Sequence, residues 1–460
     1  MVAKTVVRAR RGTNRAQMGA GCHYTFMDLF AGCGGLSLGL MMAGWRGLLA
    51  AEKDSLAFET LRFNLIEGPH GYVYDWPDWF PKEPCNVGKF AGKFRDRIAA
   101  LNGKVTLIAG GPPCQSFSLA GRRDKADRRN HLFKAYVEIV SLVRPALLLL
   151  ENVHGIAIEF AKKRRALEKT GGRRPKPYSV RIKDALEEIG YHVYPDLVRA
   201  DNHGVPQFRP RYIMFGVDER RFRDLDRIDP FSIMSNERDE FLESKGIPVN
   251  RSVTVCEAIS DLEAGNKELL DSPDRPGFRQ VAYSGPKTYY QRLLHDASDG
   301  NAPNSMGMAR HRPKTAERFQ QILSTCRRGV QLSKADRERF GLKKHCVVPL
   351  DGDKPSHTLT TLPDDILHYA EPRILTVREF ARLQSFPDWY EFKGKYTTGG
   401  DRRVKECPRY TQVGNAVPPL FAEFLGLILH RLAEQLVHGS PSDGGSVYRA
   451  DGRRARGGRQ

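Results

Sequence analysis

The fold is decided by the stretch Tyr24-Thr25-Phe26-Met27-Asp28-Leu29-Phe30-Ala31-Gly32-Cys33-Gly34-Gly35-Leu36. Its first part is a largely apolar run that predicts a buried strand, and the glycines predict a tight turn into an apolar helix. A strand, a glycine-rich turn and a helix in this order are typical of the start of a doubly wound α/β domain. Ligands of such domains bind beyond the carboxyl ends of the strands, so we look for function in the loops that follow strands.

The same alternation continues along the chain to about residue 217. Short apolar runs predict further strands at 48–52, 105–109, 146–151, 191–198 and 212–217, and helical patterns lie at 56–65, 132–143 and 181–189. From residue 218 the sequence is charged and punctuated by proline, and helical patterns return only at 376–384 and 419–436. We therefore expect an α/β fold, with a doubly wound, mostly parallel, Rossmann-like sheet and a second, smaller and irregular domain.

The chain carries a formal net charge of +19, and this charge is unevenly distributed. Four segments that we interpret as tails or loops hold nearly all of the excess: residues 1–20, 120–130, 162–177 and 438–460. Basic residues concentrated in flexible segments are typical of proteins that contact phosphates. The charge therefore indicates a nucleic acid as partner.

Several classes of protein are excluded by composition. Residues 1–20 are basic but lack the apolar run of a signal peptide, and the most apolar stretch, 36–51, is too short to span a bilayer. The eight cysteines include no Cys-x-x-Cys pair, so neither a zinc site nor a disulfide framework is expected. We expect a soluble intracellular protein with reduced thiols, no metal and no contact with a membrane.

Two features after the first two predicted strands indicate a nucleoside cofactor. A glycine-rich turn lets the backbone approach a ligand closely, and Glu52, which ends the second strand, suits ribose hydroxyls. The turn by itself is also typical of tight packing. Because a phosphate-binding Lys-Ser/Thr and a full dinucleotide fingerprint are missing, a nucleoside without pyrophosphate, such as S-adenosylmethionine, fits better.

Candidate reactive side chains follow the other strands. Cys114, in Gly111-Pro112-Pro113-Cys114-Gln115-Ser116-Phe117-Ser118, follows two rigid prolines at a strand end, and nearby bases favour its thiolate. Glu151 closes another strand, where a dry carboxyl keeps its proton and acts as a donor. Arg209 and Arg211 share one side of an extended segment. Taken singly, a structural thiol and a helix-capping or ion-paired carboxylate remain open interpretations.

Taken together and in order, these blocks resemble the cytosine-C5 DNA methyltransferase family, in its bacterial restriction–modification type. The matching blocks are DLFAGCGG, GPPCQSFS, ENV and QFRPR, followed by LTVREFARLQSFP at 375–387 and QVGNAVPP at 412–419. The resemblance covers about residues 24–435 except the variable middle, and it implies the class I fold of S-adenosylmethionine-dependent methyltransferases. We accordingly divide the chain into a basic N-terminal tail (1–20), a catalytic domain (21–217 with 409–437), a target-recognition domain (218–408) and a disordered basic C-terminal tail (438–460).

The resemblance also implies a mechanism. Cys114 would add to carbon 6 of cytosine, protonated Glu151 would donate to ring N3, and Arg211 would contact O2 with support from Arg209. Carbon 5 would then take the methyl group of S-adenosylmethionine, which leaves as S-adenosylhomocysteine. A duplex hides carbon 6, so the target cytosine would be flipped out of the stack.

Site residues are implied in the same way. The cofactor site would comprise Asp28, Phe30, Ala31, Gly32, Gly34, Gly35, Leu36, Glu52, Asp75, Pro113 and Asn415. A loop over 115–130 would close on DNA through Gln115, Ser116, Ser118, Arg122 and Arg123. The sequence departs from the family pattern at two places where the adenine of the cofactor would bind. Lys53 stands where an aromatic residue is frequent, and residues 68–104 are longer than usual, so Asp75 is our choice for the adenine edge, beside Trp76.

Two other functions are compatible with parts of this pattern. A tRNA cytosine-C5 methyltransferase shares the chemistry, but such relatives generally have a short variable region. Here residues 218–372 leave room for target recognition by a basic cluster of Arg310, His311, Arg312 and Lys314. A non-catalytic DNA-binding relative would be expected to lack the cysteine or the glutamate, and both are present. We expect a monomer that acts on double-stranded DNA in the bacterial cytoplasm, at the nucleoid, with a companion restriction endonuclease for the same site.

Overall fold

The sheet around which the chain folds is buried on both faces. A computed structural model describes residues 24–112, 130–157, 176–222, 224–295, 302–344, 346–398 and 406–436. Alternate residues of the first strand enter different cores, since Phe26 packs into one hydrophobic cluster and Met27 into another. Successive side chains of a strand point to opposite faces, so helices cover both sides of the sheet.

Six strands form this sheet, in the order β2-β1-β3-β4-β6-β5. Their bounds are β1 Thr25–Leu29, β2 Arg46–Ala51, β3 Leu107–Gly110, β4 Leu147–Val153, β5 Tyr191–Arg199 and β6 Pro210–Asp218. The strands β1 to β4 pair in parallel, while β6 runs antiparallel to both β4 and β5. The prediction of a doubly wound, mostly parallel sheet is confirmed. The carboxyl ends of β1 to β4 and the beginning of β6 therefore meet at one edge.

Helices alternate with these strands. In chain order they are α1 Gly35–Met42, α2 Ser55–Leu61, α3 Val87–Lys93, α4 Arg95–Ala99, α5 Asn130–Val143 and α6 Tyr178–Glu187. The helix predicted at 56–65 is α2 followed by a π-helical turn, Arg62–Ile66. It begins at Asp54, whose carboxylate accepts hydrogen bonds from the N–H groups of Leu56 and Ala57, as an N-cap does.

The region after β6 is irregular, as its sequence predicts. It contains α7 Pro230–Ser244, α8 Val255–Ile259, α9 Tyr289–Leu294, α10 Pro313–Thr325, α11 Lys334–Arg339 and α12 Val377–Leu383. Between them lie two-stranded pieces formed by β7 Leu269–Asp271 with β8 Arg279–Val281, and by β9 Val348–Pro349 with β10 Ile366–Leu367. Two small hydrophobic clusters, one around Phe319 and Ile322 and one around Leu262 and Met306, lie within this region.

The end of the described chain returns to the main core. Helices α13 Arg409–Asn415 and α14 Pro419–Ala433 follow, and α14 packs along α1. Gly39 permits this contact, since a Cβ at this position would lie 2.4 Å from Ala422. The stretch Arg409–Ala433 is apolar and long enough to cross a membrane, but most of it is buried inside the protein, as in a core helix.

Candidate active site

A cleft of about 530 Å³ opens at the edge where the carboxyl ends of β1 to β4 meet. Its size is that of a small-molecule site. The predicted site residues that line it are Asp28, Phe30, Ala31, Gly32, Leu36, Glu52, Glu151, Arg209, Arg211 and Asn415. The structure therefore brings residues from five separate sequence blocks to one place.

The glycine-rich turn forms the floor of this cleft. Phe30 has a φ of 67° and Gly32 a φ of 57°, both in the left-handed region, so the chain turns sharply after β1. The N–H groups of Phe30 and Ala31 donate to the carbonyl of Ala51, which ties the turn to the end of β2. A Cβ at Gly32 would meet nothing within 4 Å. The turn thus presents open backbone to a ligand.

Glu52 closes the adjacent side of the cleft. Its carboxylate accepts hydrogen bonds from the N–H of Gly32 at 2.9 Å and from the N–H of Asp54 at 2.7 Å. Burial raises the pKa of Glu52, and these two backbone donors oppose the shift. Each carboxylate oxygen has a second lone pair, so Glu52 is held in a fixed orientation with acceptor capacity left for two hydroxyls.

Asp28 lies at the bottom of the cleft and is fully buried. One carboxylate oxygen accepts from the Ser37 hydroxyl at 2.5 Å, and Tyr74 in turn donates to Ser37 at 2.7 Å. The other oxygen, Oδ1, is buried without a hydrogen-bond partner among the described residues. Burial raises the pKa of Asp28 to about 7, with a further rise from the charge of Glu52 and an opposing effect of Ser37. Asp28 lines the cleft while Oδ1 itself is buried, so a ligand there would meet the charge of this carboxylate.

Gly34 and Gly35 were predicted to line the methionine portion of the cofactor, and neither is among the residues that line the cleft. Both are closely packed. A Cβ at Gly34 would lie 2.7 Å from the Tyr390 hydroxyl, and one at Gly35 would lie 2.3 Å from the carbonyl of Val417. These glycines let the turn approach α14 and the segment that follows α12.

Asp75, predicted at the adenine edge, lies outside the cleft. Its carboxylate is partly exposed and forms an ion pair with Arg46 beside β2. The segment that does reach the cleft contains Cys85, Asn86 and Val87, where Asn86 is the N-cap of α3. A hydrogen bond of 2.6 Å from the Cys85 N–H to the Glu52 carbonyl fixes this position.

Glu151 and Arg211 form the opposite wall. Because β4 and β6 pair with Val153 opposite Arg211, the two side chains lie at the same strand end. Arg211 Nε and Glu151 Oε1 are 2.7 Å apart, and both side chains are almost buried. The Arg211 guanidinium also donates to the carbonyl of Pro210 at 2.8 Å. A nearly buried acid with one oxygen held by a guanidinium is oriented for proton transfer through the other.

The residues that follow β3 lie on the same wall. Gly111 and Pro112 line the cleft, and the Asn152 amide donates to the Pro112 carbonyl at 2.9 Å. Gly111 lies against Glu151, since a Cβ there would be in van der Waals contact with Oε2 at 3.4 Å. Several predicted site residues fall outside the described residues: Pro113, Cys114, Gln115, Ser116, Ser118, Arg122 and Arg123. Most of the four basic segments falls outside them too.

The cysteines that line the cleft among the described residues are Cys33, Cys85 and Cys407. Burial raises the pKa of each thiol, that of Cys33 to about 12. A thiol is a nucleophile only as its thiolate. These three cysteines are therefore suited to packing rather than to covalent chemistry.

The donor set of the floor fits a nucleoside with a charged amino-acid arm. Open backbone at Gly32 and an acceptor pair at Glu52 suit a ribose, while the buried carboxylate of Asp28 places a negative charge beside the cleft that suits an ammonium group. Among the described residues, the floor lacks a cluster of lysine or arginine side chains of the kind that binds a pyrophosphate. Lys53 lies at the rim of the cleft and is exposed.

Comparison with known proteins agrees with this geometry. A family model described as C-5 cytosine-specific DNA methylase matches residues 24–430. The Type II methyltransferase M.DdeI of Desulfomicrobium norvegicum is 32% identical over 416 residues, which cover 87% of this chain and 86% of that protein. M.PspPI of Psychrobacter is 32% identical over 415 residues, covering 89% and 79%. A solved structure of a putative DNA modification methyltransferase encoded within an E. coli prophage has a TM-score of 0.58 at 24% identity, and the match covers 89% of this chain and 99% of that one.

Proposed function

The chain belongs to the C-5 cytosine-specific DNA methylase family and is a DNA cytosine methyltransferase, and we propose that it acts through a covalent Cys114 adduct of a flipped-out cytosine. The observation that carries this proposal is the wall where Glu151 and Arg211 are paired at 2.7 Å beside Gly111 and Pro112. Cys114 follows Pro112 by two residues, a span of at most about 7 Å. The thiol, an acid and a cation are thus available to one base.

The first step activates carbon 5 of cytosine, which is a poor nucleophile. The Cys114 thiolate adds to carbon 6 and forms the Sγ–C6 bond, while Glu151 gives a proton to ring N3. Arg211, already fixed at its Nε by Glu151, donates to O2 and stabilises the charge that develops there. Carbon 5 then has enamine character. Only an extruded base reaches this wall, so the duplex must release the target cytosine.

The second step places the methyl group and frees the enzyme. When bound, S-adenosylmethionine supplies the electrophilic methyl group that carbon 5 takes up, and it leaves as S-adenosylhomocysteine. Glu151 then takes back the proton from N3, and a base in the site removes the proton from carbon 5. The electron pair of that C–H bond forms the C5–C6 double bond, so the Sγ–C6 bond breaks and the Cys114 thiolate is returned. No metal ion is required at any point.

The floor of the cleft would hold this cofactor. Glu52 accepts from the ribose hydroxyls, Asp28 lies toward the ammonium group, and Asn415 faces the cleft from the end of α13. Phe30 offers a ring to the adenine, and Asn86 takes the place at the adenine edge that we had assigned to Asp75. Lys53 lies at the rim where relatives frequently have an aromatic residue.

DNA would be held by the loop over 115–130, with Gln115, Ser116, Ser118, Arg122 and Arg123, and by the recognition domain over 218–408. The part of this domain built around the two small hydrophobic clusters is the best candidate for reading bases, since it is separate from the main core. The protein would act as a cytoplasmic monomer that protects its host's DNA from a companion restriction endonuclease.

Expression in a host free of cytosine methylation tests the proposal, with bisulfite sequencing of the host DNA as the measurement. We expect one short sequence motif methylated at an internal cytosine, and none with Cys114→Ser. Purified enzyme with labelled S-adenosylmethionine should label duplex DNA and leave tRNA unlabelled. Labelling of tRNA alone would replace DNA by tRNA as the substrate, and labelling of DNA by Cys114→Ser would exclude the covalent mechanism.

A further inference from the structure

The two walls of the cleft are joined beneath their surface by a network of buried polar side chains. We call it the glutamine relay; its members are Gln207, Arg209 and Gln384, and each is at most 1% exposed. They come from two sequence blocks, the segment before β6 and the end of α12, and backbone partners of Arg209 and Gln384 lie at the C-terminal end of α13. The proposed mechanism assigns no role to either glutamine.

The central contact joins the two glutamines. The Gln207 amide donates from Nε2 to Gln384 Oε1 at 2.8 Å and to the Leu383 carbonyl at 3.1 Å. Gln384 passes the connection on, since its own Nε2 donates to the carbonyls of Val413 at 2.7 Å and Ala416 at 3.3 Å. Asn415 lies between those two carbonyls in the chain and faces the cleft.

Arg209 closes the network from the other side. Its guanidinium donates to Gln207 Oε1 at 3.2 Å and to the carbonyls of Gly414 at 3.0 Å and Ala416 at 2.8 Å. Gln207 Oε1 also accepts from the Leu359 N–H at 2.9 Å. The peptide carbonyls on both sides of Asn415 are therefore held by two side chains of the relay.

The same residues lead directly to the catalytic wall. Arg211 is two residues beyond Arg209 on the extended chain that begins β6, and it pairs with Glu151 at 2.7 Å. A rotation of the Gln207–Arg209 segment would move the Arg211 guanidinium, because backbone and relay are continuous. The cofactor wall at Asn415 and the base wall at Arg211 thus share one buried support.

We infer that Gln384 is a positioning residue for both walls at once. It holds the turn that carries Asn415 and, through Gln207, the segment that carries Arg211. This inference rests on the proposed function. An amide suits the position because it accepts from Gln207 and donates to two carbonyls at the same time, which neither a hydrocarbon nor a carboxylate does. Loss of the amide would remove one hydrogen bond each from the Val413 and Ala416 carbonyls and from the Gln207 amide, all of them buried.

The test compares Gln384→Leu with Gln291→Leu. Gln291 is a matched control because it is also completely buried. Its amide makes a comparable set of contacts, donating to Ser260 at 3.0 Å and accepting from the N–H groups of Lys287 at 2.7 Å and Thr288 at 3.0 Å. It lies on α9 and does not line the cleft. Both variants should lose similar thermal stability.

Two measurements on the full chain separate the walls. The Kd of S-adenosylhomocysteine without DNA reports the cofactor wall, and the single-turnover rate of DNA methylation at saturating S-adenosylmethionine reports the base wall. For Gln384→Leu we expect the Kd to rise and the rate to fall, each about 10-fold. Gln291→Leu should change each by less than about 2-fold, since its lost hydrogen bonds are remote from both walls.

Gln384→Glu adds a readout that a merely structural residue would not move. A buried carboxylate facing two carbonyls is disfavoured, whereas its protonated form restores both an acceptor and one donor. The ratio of the Kd of Gln384→Glu to that of wild type should therefore fall by about 3-fold or more between pH 8 and pH 6. A ratio independent of pH would contradict the hydrogen-bond role.

The outcomes separate this inference from the proposed function. If wild type binds S-adenosylhomocysteine and methylates DNA while Gln384→Leu behaves like Gln291→Leu, the relay has no positioning role. A change in only one of the two measurements would show that Gln384 supports one wall and not both. If wild type neither binds the cofactor product nor methylates DNA, the proposed function fails and the inference fails with it.

Discussion

Two of the regions that contain buried charges satisfy them in different ways. In the cleft, burial raises the pKa of Asp28 and of Glu52, and Asp28 Oδ1 has no hydrogen-bond partner among the described residues. The second region lies around α12, where Arg373 and Arg382 are buried together with acidic partners. We call this second region the arginine belt; its members are Arg373, Arg378, Glu379, Arg382, Asp388 and Asp261.

The acidic groups of the arginine belt are fully paired. Arg373 forms a two-pronged ion pair with Glu379, each contact at 2.8 Å, and its charge lowers the pKa of Glu379 far below the usual value. Arg382 binds Asp388 at 2.9 and 2.7 Å and also binds Asp261. The arginine charge and the hydrogen bond of His295 lower the pKa of Asp388 to about 2, against the opposing effect of burial.

The comparison shows how buried charges that stabilise the fold differ from buried charges that serve a functional site. A buried ion pair with complete hydrogen bonding is a structural element whose loss leaves an uncompensated charge. A buried carboxylate that lines a cleft without a cation beside it costs stability when it is ionised, and such groups cluster at functional sites. Variants in the cleft should therefore change activity more than stability, and variants in the belt should do the reverse.

The largest effect should follow Glu151→Gln. The amide keeps a hydrogen bond to Arg211 but cannot give a proton to ring N3, so the methylation rate should fall by about 10²- to 10⁴-fold. Thermal stability and the Kd of S-adenosylhomocysteine should stay near the wild-type values. Single-turnover methylation measures the rate, a thermal melt measures the stability, and calorimetric titration measures the Kd. A loss of stability as large as that of a belt variant would contradict the distinction between the regions.

Arg382→Met tests the opposite case. It leaves Asp261 and Asp388 buried without their cation, which should lower the free energy of unfolding by on the order of 3–5 kcal/mol. The matched control is Arg431→Met, which breaks an ion pair with Glu237 that is about half exposed and should cost less than about 1 kcal/mol. Urea unfolding measures both. Equal effects of the two variants would show that the belt does not stabilise the fold.

Much of the cleft could be predicted because its parts are local. Each of the strands β1 to β4 is a short apolar run, and its carboxyl end carries the residue that faces the cleft, such as Asp28 and Glu151. The order of the blocks then indicated the family. The arrangement of parallel strand ends at one edge follows from the fold class.

The remaining features of the cleft could not be predicted because they depend on contacts between residues far apart in the sequence. The close packing of Gly34 depends on Tyr390, which is far away in the sequence, so a glycine expected at the ligand was in fact needed for packing. Asp75 and Asn86 both lie in the long segment after α2, and only the folded path shows that Asn86 returns to Glu52. The sequence also does not show which arginines are buried. Arg373, Arg378 and Arg382 add to the basic total but are buried in the belt.

Asp28→Asn should sharpen the comparison through pH. Because the pKa of Asp28 is raised to about 7 in the folded protein, its contribution to stability is fully present below pH 3.8 and is lost as the pH rises toward 7. At pH 8 the variant should therefore melt a few degrees above wild type, as expected where function opposes stability.

The same variant should bind the cofactor product less well. The ionised form of Asp28 attracts an ammonium group, so wild-type affinity for S-adenosylhomocysteine should rise between pH 6 and pH 8 by up to about 10-fold. The affinity of Asp28→Asn should be weaker and independent of pH. Glu423→Gln is the control, since burial also raises the pKa of that carboxyl, which binds Lys245 away from the cleft. A pH-dependent affinity in Asp28→Asn would assign the effect to another group.

Alanine at two glycines of the turn should separate the cleft from the packing, since Gly32 lines the cleft and Gly34 packs against Tyr390. Both have positive φ, so alanine adds strain of about 1 kcal/mol in each. At Gly34 the new methyl group would also lie 2.7 Å from the Tyr390 hydroxyl, and this overpacking adds about 1–3 kcal/mol. At Gly32 it would point into the open cleft. Gly34→Ala should therefore lose more thermal stability, whereas Gly32→Ala should lose more affinity for S-adenosylhomocysteine in calorimetric titration. If Gly34→Ala weakened binding as much as Gly32→Ala at equal stability, Gly34 would belong to the cofactor site after all.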